Sequence, residues 1–198
     1  MIRYLAAASL ILLSIVSFAQ NQSPRSGAAA GGKLSAGAAM LFNNVKSSAT
    51  PAEKNRIFQD INLKLSPDRK SFLSDEYPVD AFVYPTDMNK DGKEELFVVM
   101  GSVALYGNTG QGFVLYIRNN AGQYQQQPDI GGAGLATILT AKNLGYPDIL
   151  IGGPGFEFPV YRWNGRKYAW HKKMKDGAMN NNNSTDIETY SKAYTGTR

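Results

Sequence analysis

The segment from Thr86 to Leu96 is the part of the chain whose residue types and spacing point to chemistry. Counted from Asp87, oxygen-bearing side chains stand at positions 1, 3 and 5, glycine at position 6 and an acid at position 9. Such oxygens can surround a hard cation, the glycine permits a sharp reversal of the chain, and the carbonyl at position 7 can point inward. We therefore expect a Ca²⁺ ion bound by Asp87, Asn89, Asp91, Lys93 through its backbone, and Glu95.

An EF-hand is excluded by the residues that follow this loop. An EF-hand requires a bidentate Glu at position 12 and helices on both sides, whereas position 12 is Val98, inside a run typical of a strand. A calcium-free turn remains the alternative, because Asp and Asn side chains can bond to their own backbone. Sites of extracellular type bind Ca²⁺ with dissociation constants of roughly 10⁻⁴ to 10⁻³ M, which suits a structural ion.

A second candidate site is the loop Gly152–Pro159, which is rich in Gly and Pro and places two aromatic residues around one acid. Phe156 and Phe158 can anchor a partner while Glu157 meets a basic or hydrogen-bonding group. In the hairpin that follows, strand alternation places Tyr161 and Trp163 on one face, where they can stack on sugars or bases. The alternative is that both Phe side chains fold onto the core and that the hairpin has one buried and one wetted face.

Composition excludes several other classes of chemistry. The 198 residues contain no Cys and one His, which excludes a cysteine nucleophile, a cysteine-based metal site and a two-histidine metal site within one chain. No nucleophile-elbow motif surrounds any Ser. A glycosidase needs only two carboxylates, but no motif pairs the available candidates, Asp129, Asp148 and Glu157.

The first residues predict export. A basic start ending near Arg3 precedes an uncharged stretch that closes with Ser17-Phe18-Ala19, which is the pattern of a signal peptide over residues 1–19. The stretch is shorter than the roughly 20 apolar residues of a spanning helix, so we expect no stable membrane anchor after cleavage and a periplasmic or secreted protein. Cleavage would remove Arg3 and lower the net charge from +5 to +4. For an exported protein this mild excess favours anionic surfaces or acidic partners over nucleic acid, and solubility alone is the alternative.

The elements that must position these sites lie in one domain, residues 34–175. Residues 20–33 are expected to form a flexible linker and the polar residues 176–198 a disordered tail. Thr50, Pro51 and Glu53 predict the start of a helix through a capping box, and 36–45 predicts a shorter helix before it. Short β-branched and aromatic runs then predict eight strands, at 79–84, 95–100, 112–118, 123–127, 135–140, 148–151, 158–163 and 167–171.

The strands form two similar sets, which we interpret as repeats at about 79–127 and 135–173. An acid followed by three apolar residues recurs at Glu95 and at Asp148, an offset of 53, and tyrosines recur at offsets of 45 and 44 in the hairpins that follow. The predicted fold class is α+β and β-rich, with two four-stranded antiparallel units on which the N-terminal helices pack.

The loop and the strand after it resemble the calcium loops of FG-GAP or VCBS-type repeats, the blades of integrin-like β-propellers. The resemblance covers about Ala81–Gly101 well and Lys142–Gly153 partly, and it implies a structural Ca²⁺ at the mouth of a strand. The second copy keeps only Asp148 among its ligand positions, so one site is expected. A closed propeller needs at least about four blades, and this chain has room for two, so we expect two blade-like sheets in one compact domain.

Together these features predict an exported, non-enzymatic, calcium-stabilised binding domain whose partner is a protein or glycan of the cell envelope or medium. One alternative is an inhibitor or immunity protein that blocks an exported hydrolase with the loop 152–159. The alternative from another class is a small carboxylate-based hydrolase.

Overall fold

A computed structural model of the protein describes residues 32–180 and 182–196. The predicted signal peptide, and the predicted linker up to residue 31, lie outside the described residues. Within the described part of the chain no helix is long and apolar enough to cross a membrane.

The first sheet is a six-stranded antiparallel meander in which every strand pairs with the next one along the chain. Its last four strands are those that the sequence predicted for the first repeat, and the two short strands before them extend the sheet at one edge. The strands are β1 (Lys64–Leu65), β2 (Phe72–Ser74), β3 (Tyr77–Thr86), β4 (Glu95–Gly101), β5 (Gln111–Arg118) and β6 (Tyr124–Ala133).

The second sheet has five antiparallel strands in the order β10-β9-β8-β7-β11. Its first four strands in sequence are those of the second predicted repeat, so the predicted β-rich class with two antiparallel sheets is confirmed. The strands are β7 (Leu135–Asn143), β8 (Tyr146–Gly152), β9 (Glu157–Trp163), β10 (Tyr168–Lys175) and β11 (Ser184–Asp186).

Equivalent residues of the two sheets occupy equivalent places. Leu96 pairs with Tyr116 across β4 and β5, and Ile149 pairs with Tyr161 across β8 and β9. Leu96 points away from the second sheet, into the core beneath the N-terminal helices, whereas Ile149 points into the core between the sheets. The sheets therefore stack in the same sense, with the same face of each turned toward the N-terminal helices.

The N-terminal helices cover the outer face of the first sheet. Helix α1 (Ala36–Leu41) is shorter than predicted, and α2 (Pro51–Asp60) begins at the predicted capping box, in which both bonds between Thr50 and Glu53 are present. Ile57 of α2 is 1% exposed and packs in the same core as Leu96. A short helix, α3 (Val103–Tyr106), lies in the connection between β4 and β5.

The C-terminal segment corrects the prediction of a disordered tail. Residues 184–186 form β11 beside β7, and helix α4 (Ile187–Thr195) follows directly, with Asp186 accepting a hydrogen bond from the backbone of Thr189. Ile187 is buried in the core between the sheets, and Ser191, one helical turn later, donates its hydroxyl to the carbonyl of Pro85 in β3 at 2.7 Å. Helix α4 therefore contacts both sheets. Its buried face consists of few residues, which explains why composition alone indicated disorder.

Candidate metal centre

The predicted cation loop connects β3 to β4, in the first sheet. Thr86 and Glu95 are paired across these strands, so the ladder brings the two ends of the loop together. Lys90 and Gly92 have φ angles of 60° and 79°, and these left-handed residues reverse the chain within the loop. Glycine suits position 92 because it adopts a φ of 79° without the strain that a side chain would bring.

Backbone N–H groups hold the loop side chains inward. Asp87 accepts hydrogen bonds from the N–H groups of Asp91 and Gly92, each at 3.0 Å. The amide oxygen of Asn89 accepts from Asp91 N–H at 3.2 Å, and the carboxylate of Asp91 accepts from Lys93 N–H at 2.8 Å. The polar side chains predicted as ligands are therefore oriented by the loop itself.

Three of the predicted ligands converge. One carboxylate oxygen each from Asp87, Asp91 and Glu95 lies within 4.8 Å of the others. Within the described part of the chain, no Lys, Arg or His forms an ion pair with any of the three. The cluster therefore brings together three carboxyl groups that no Lys, Arg or His of the described residues pairs with, and such a set of oxygen ligands suits a bound metal ion.

Glu95 is the innermost member of the cluster and is 1% exposed. Its Oε2 accepts from the backbone N–H of Met88 at 2.7 Å, and its Oε1 accepts from the hydroxyl of Tyr146, in the second sheet, at 3.2 Å. Burial raises the pKa of Glu95 to about 8, a shift that these two hydrogen bonds oppose and the charges of Asp87 and Asp91 reinforce. A cation placed among the three carboxylates would reverse that shift by favouring the ionised form.

The corresponding turn of the second sheet carries no such cluster among the described residues. Asp148, the acid equivalent to Glu95, is fully buried and binds Arg162 through two hydrogen bonds of 2.9 and 2.7 Å. The turn instead lies against the first loop, where a Cβ built on Gly145 would be 3.6 Å from the Cβ of Asn89, and the φ of 87° at Gly145 is what favours glycine there.

The five residues predicted to bind a partner are not brought together. Phe156 is 88% exposed and Glu157 is also exposed, whereas Phe158 is 6% exposed in the core on the outer face of the second sheet. Tyr161 and Trp163 are half-buried and pack against the core between the sheets. Phe156 and Glu157 are the most accessible of the five, Tyr161 and Trp163 keep part of their surface exposed, and Phe158 is buried, as in the alternative in which it folds onto the core.

The carboxylates considered for a hydrolase are separated or already paired. Asp148 is bound to Arg162, and Asp129 forms an ion pair with Lys167. Because Asp148 is bound to Arg162, the position of Arg162 marks that of the Asp148 carboxylate. Glu157 lies five residues before Arg162 on the extended strand β9, a distance of about 16 Å. Paired glycosidase carboxylates are at most about 9.5 Å apart, so Asp148 and Glu157 do not form such a pair.

Sequence reasoning missed the contribution of Tyr146 and of helix α4 to this region. A cavity of about 550 Å³ opens beside Asp87 between β7, β8 and α4, and Tyr190 and Tyr194 of the helix line it. Tyr146 precedes a predicted strand, and no local pattern links it to Glu95, 51 residues earlier.

Comparisons with protein-family models, with curated proteins and with solved structures found no significant match.

Proposed function

We propose that the protein is an exported, non-enzymatic binding domain that Ca²⁺ stabilises at the β3–β4 loop. The observation that carries this proposal is the convergence of Asp87, Asp91 and Glu95. Among the described residues, no Lys, Arg or His forms an ion pair with any of them. Export is proposed from the signal-peptide pattern alone, and mass spectrometry of the native protein should find a chain that begins at Gln20.

The donor set favours a hard cation. Every side-chain donor in the loop is an oxygen, and Ca²⁺ takes six to eight oxygen ligands at about 2.3–2.6 Å. Two ligands on opposite sides of one Ca²⁺ are therefore up to about 5 Å apart, which accommodates three carboxylate oxygens within 4.8 Å of one another. Asp87, Asp91 and Glu95 would hold the ion, with Asn89 and the Lys93 carbonyl as further ligands at the predicted positions.

The ion would act as a structural link. It would fix the loop between β3 and β4, and through the bond of Glu95 to Tyr146 it would also stabilise the interface with the second sheet. Because the ligands come from a loop of the first sheet and the hydrogen-bond donor from the second, metal binding favours the packed arrangement of both sheets.

The two sheets are proposed to be blade-like units of the FG-GAP type. Support comes from the matching registers of the two meanders and from their stacking in the same sense. Helices α1 and α2 cover one end of this two-sheet stack. At the other end, Phe158 and Val160 form a core with Met174 and Met179. Helices α1 and α2 at one end and this core at the other occupy the faces on which further blades would pack. We therefore propose that the stack consists of these two sheets.

A protein partner bound at the β8–β9 loop is the second candidate, favoured by the exposure of Phe156. A Phe with 88% of its surface in water contributes little to the fold, and Gly155 presents it with a φ of 138°. Such an aromatic beside Glu157 suits insertion into the cleft of an exported hydrolase, which is how an inhibitor would act.

Thermal unfolding with and without Ca²⁺ tests the proposed metal site. A ligand that binds only the folded state at 100 times its dissociation constant adds about 2.7 kcal/mol to the free energy of unfolding. Millimolar Ca²⁺ should therefore raise the Tm, and Asp87→Ala and Asp91→Ala should each abolish the increase. Glu76→Ala, which removes an exposed acid outside the loop, should leave it unchanged. Equal melting of the unaltered protein in Ca²⁺ and in chelator would refute the proposal.

A further inference from the structure

The cavity of about 550 Å³ beside the candidate metal centre has the size of a site for a small organic ligand. The apolar part of its wall consists of Ile138, Leu139, Pro147 and Ala193. The side chains that bring hydroxyl groups to it are those of Thr140, Thr185, Tyr190 and Tyr194. Such a wall suits a ligand that has both apolar C–H faces and hydroxyl groups, as a sugar ring does.

Two lysines and one carboxylate also line this cavity. Lys90 belongs to the β3–β4 loop and Lys142 to β7, so the two cations come from different sheets. Both lysines are exposed, and neither forms an ion pair with another of the described residues. The carboxylate is that of Asp87, a member of the candidate metal centre. Positive charge is therefore in excess, which favours a ligand with negative charge.

The donors around the cavity favour a carboxylate over a phosphate as the negatively charged group. Phosphate is commonly bound by Arg in a bidentate manner or at the N-terminus of a helix. Among the described residues, those that line the cavity include no Arg. The N-terminus of α4 already has an acceptor, because the Asp186 carboxylate accepts from the backbone N–H of Thr189 at 2.8 Å.

We propose that this cavity binds a hexuronic acid residue of an acidic glycan, with Lys90 and Lys142 as the partners of its carboxylate. A C–H face of the sugar ring packs against the half-buried ring of Tyr190, and ring hydroxyls bond to Thr140 and Thr185. The proposal rests on the proposed function in two respects, that the domain binds a partner and that Asp87 holds Ca²⁺. It identifies an acidic glycan as that partner.

Asp87 couples this cavity to the metal site. Its carboxylate lines the cavity and would repel the carboxylate of the sugar, whereas a Ca²⁺ ion held by Asp87 would offset that repulsion. Calcium should therefore strengthen the binding of the glycan. Because such coupling is reciprocal, the glycan should strengthen the binding of Ca²⁺ by the same factor.

Calorimetric titration with digalacturonic acid tests the proposal, with galactobiose as the matched neutral disaccharide. In Ca²⁺ we expect digalacturonic acid to bind at least about tenfold more tightly than galactobiose, since only the acid pairs with the lysines. Chelator should weaken the binding of the acid about threefold or more. Asp91→Ala, which removes a metal ligand that does not line the cavity, should weaken it in Ca²⁺ to the level seen in chelator.

Lysine variants locate the binding in the cavity. Lys90→Gln and Lys142→Gln should each weaken the binding of digalacturonic acid about threefold or more, and the double variant about tenfold. Lys173→Gln makes the same chemical change at an exposed lysine of β10, outside the cavity, and should have no effect.

Three results would overturn the glycan site. They are no binding of digalacturonic acid at millimolar concentration, equal binding of the two disaccharides, and undiminished binding by the double lysine variant. Equal binding in Ca²⁺ and in chelator would overturn the coupling through Asp87.

The increase in Tm with Ca²⁺, measured on the same samples without sugar, separates failure of this proposal from failure of the proposed metal site. An increase in Tm without sugar binding contradicts the glycan site and leaves the metal site standing. Sugar binding that depends on the lysines, without an increase in Tm, contradicts the metal site and its coupling and leaves the glycan site standing.

Discussion

Tyr146 of the second sheet donates its hydroxyl to Glu95 of the first sheet at 3.2 Å, so the innermost carboxylate of the candidate metal centre is held from both sheets. The Tyr146 ring also contacts Trp163, with ring centroids 4.6 Å apart, which fixes the direction of the hydroxyl. The candidate metal centre is therefore part of the interface between the sheets as well as a loop of one of them.

Tyr146→Phe should weaken Ca²⁺ binding while keeping the aromatic packing. A hydrogen bond to a charged group contributes about 1.5–3 kcal/mol, so we expect the dissociation constant for Ca²⁺ to rise about tenfold or more in calorimetric titration. Tyr161→Phe makes the same chemical change at a half-buried ring on β9 and should leave the constant unaltered. Equal affinities in the two variants would show that the bond to Glu95 does not support metal binding.

In chelator, the contribution of Glu95 to the stability of the protein should fall as pH rises from about 4.5 to about 8. The pKa of Glu95 is raised from 4.5 to about 8 in the folded state, so between these values the folded state binds more protons than the unfolded state, and the free energy of unfolding decreases with pH.

Glu95→Gln keeps a neutral side chain at every pH and isolates this contribution to the pH dependence. In chelator, we expect the Tm of the unaltered protein, relative to that of Glu95→Gln, to fall as pH rises from about 4.5 to about 8. Saturating Ca²⁺ should reduce this change, because the ion replaces the proton on Glu95. A difference in Tm that is constant across the range would contradict the raised pKa.

Ile187→Ala should destabilise the whole domain. Ile187 is 7% exposed in the core between the sheets, and truncating a buried Ile to Ala costs about 2–5 kcal/mol. Denaturant unfolding should show this loss, whereas Glu188→Ala, at the exposed neighbouring position, should change the free energy of unfolding by less than about 0.5 kcal/mol. A disordered C-terminal segment would make both substitutions neutral.

Phe156→Ala and Phe158→Ala should separate partner binding from folding on one loop. Phe156 is 88% exposed and Phe158 is 6% exposed, so only Phe158→Ala should lower the free energy of unfolding, by about 3–5 kcal/mol. If a protein partner uses this loop, Phe156→Ala combined with Glu157→Ala should weaken a captured partner at least about thirtyfold, since 1.4 kcal/mol is a factor of ten. The increase in Tm with Ca²⁺ should be unchanged in that double variant. If the increase were lost, Phe156 and Glu157 would be needed for the folded structure.

The sequence alone determined what depends on local patterns. The strands of both repeats follow from alternating and β-branched runs bounded by turn residues, and α2 begins where Thr50 and Glu53 form a capping box. The convergence of Asp87, Asp91 and Glu95 could be predicted because the loop places Asp87 and Asp91 four residues apart and the ladder between β3 and β4 returns Glu95 to them. Short-range hydrogen bonds and backbone preferences are sufficient for all of these.

Only the tertiary structure decided which groups separated in sequence come together. Helix α4 has nine residues and would be marginal alone in water, so its order depends on burying Ile187 between the sheets. The same reason applies to Tyr146, whose contact with Glu95 requires the two sheets to stack. These arrangements depend on contacts across long stretches of chain, and no local pattern encodes such contacts.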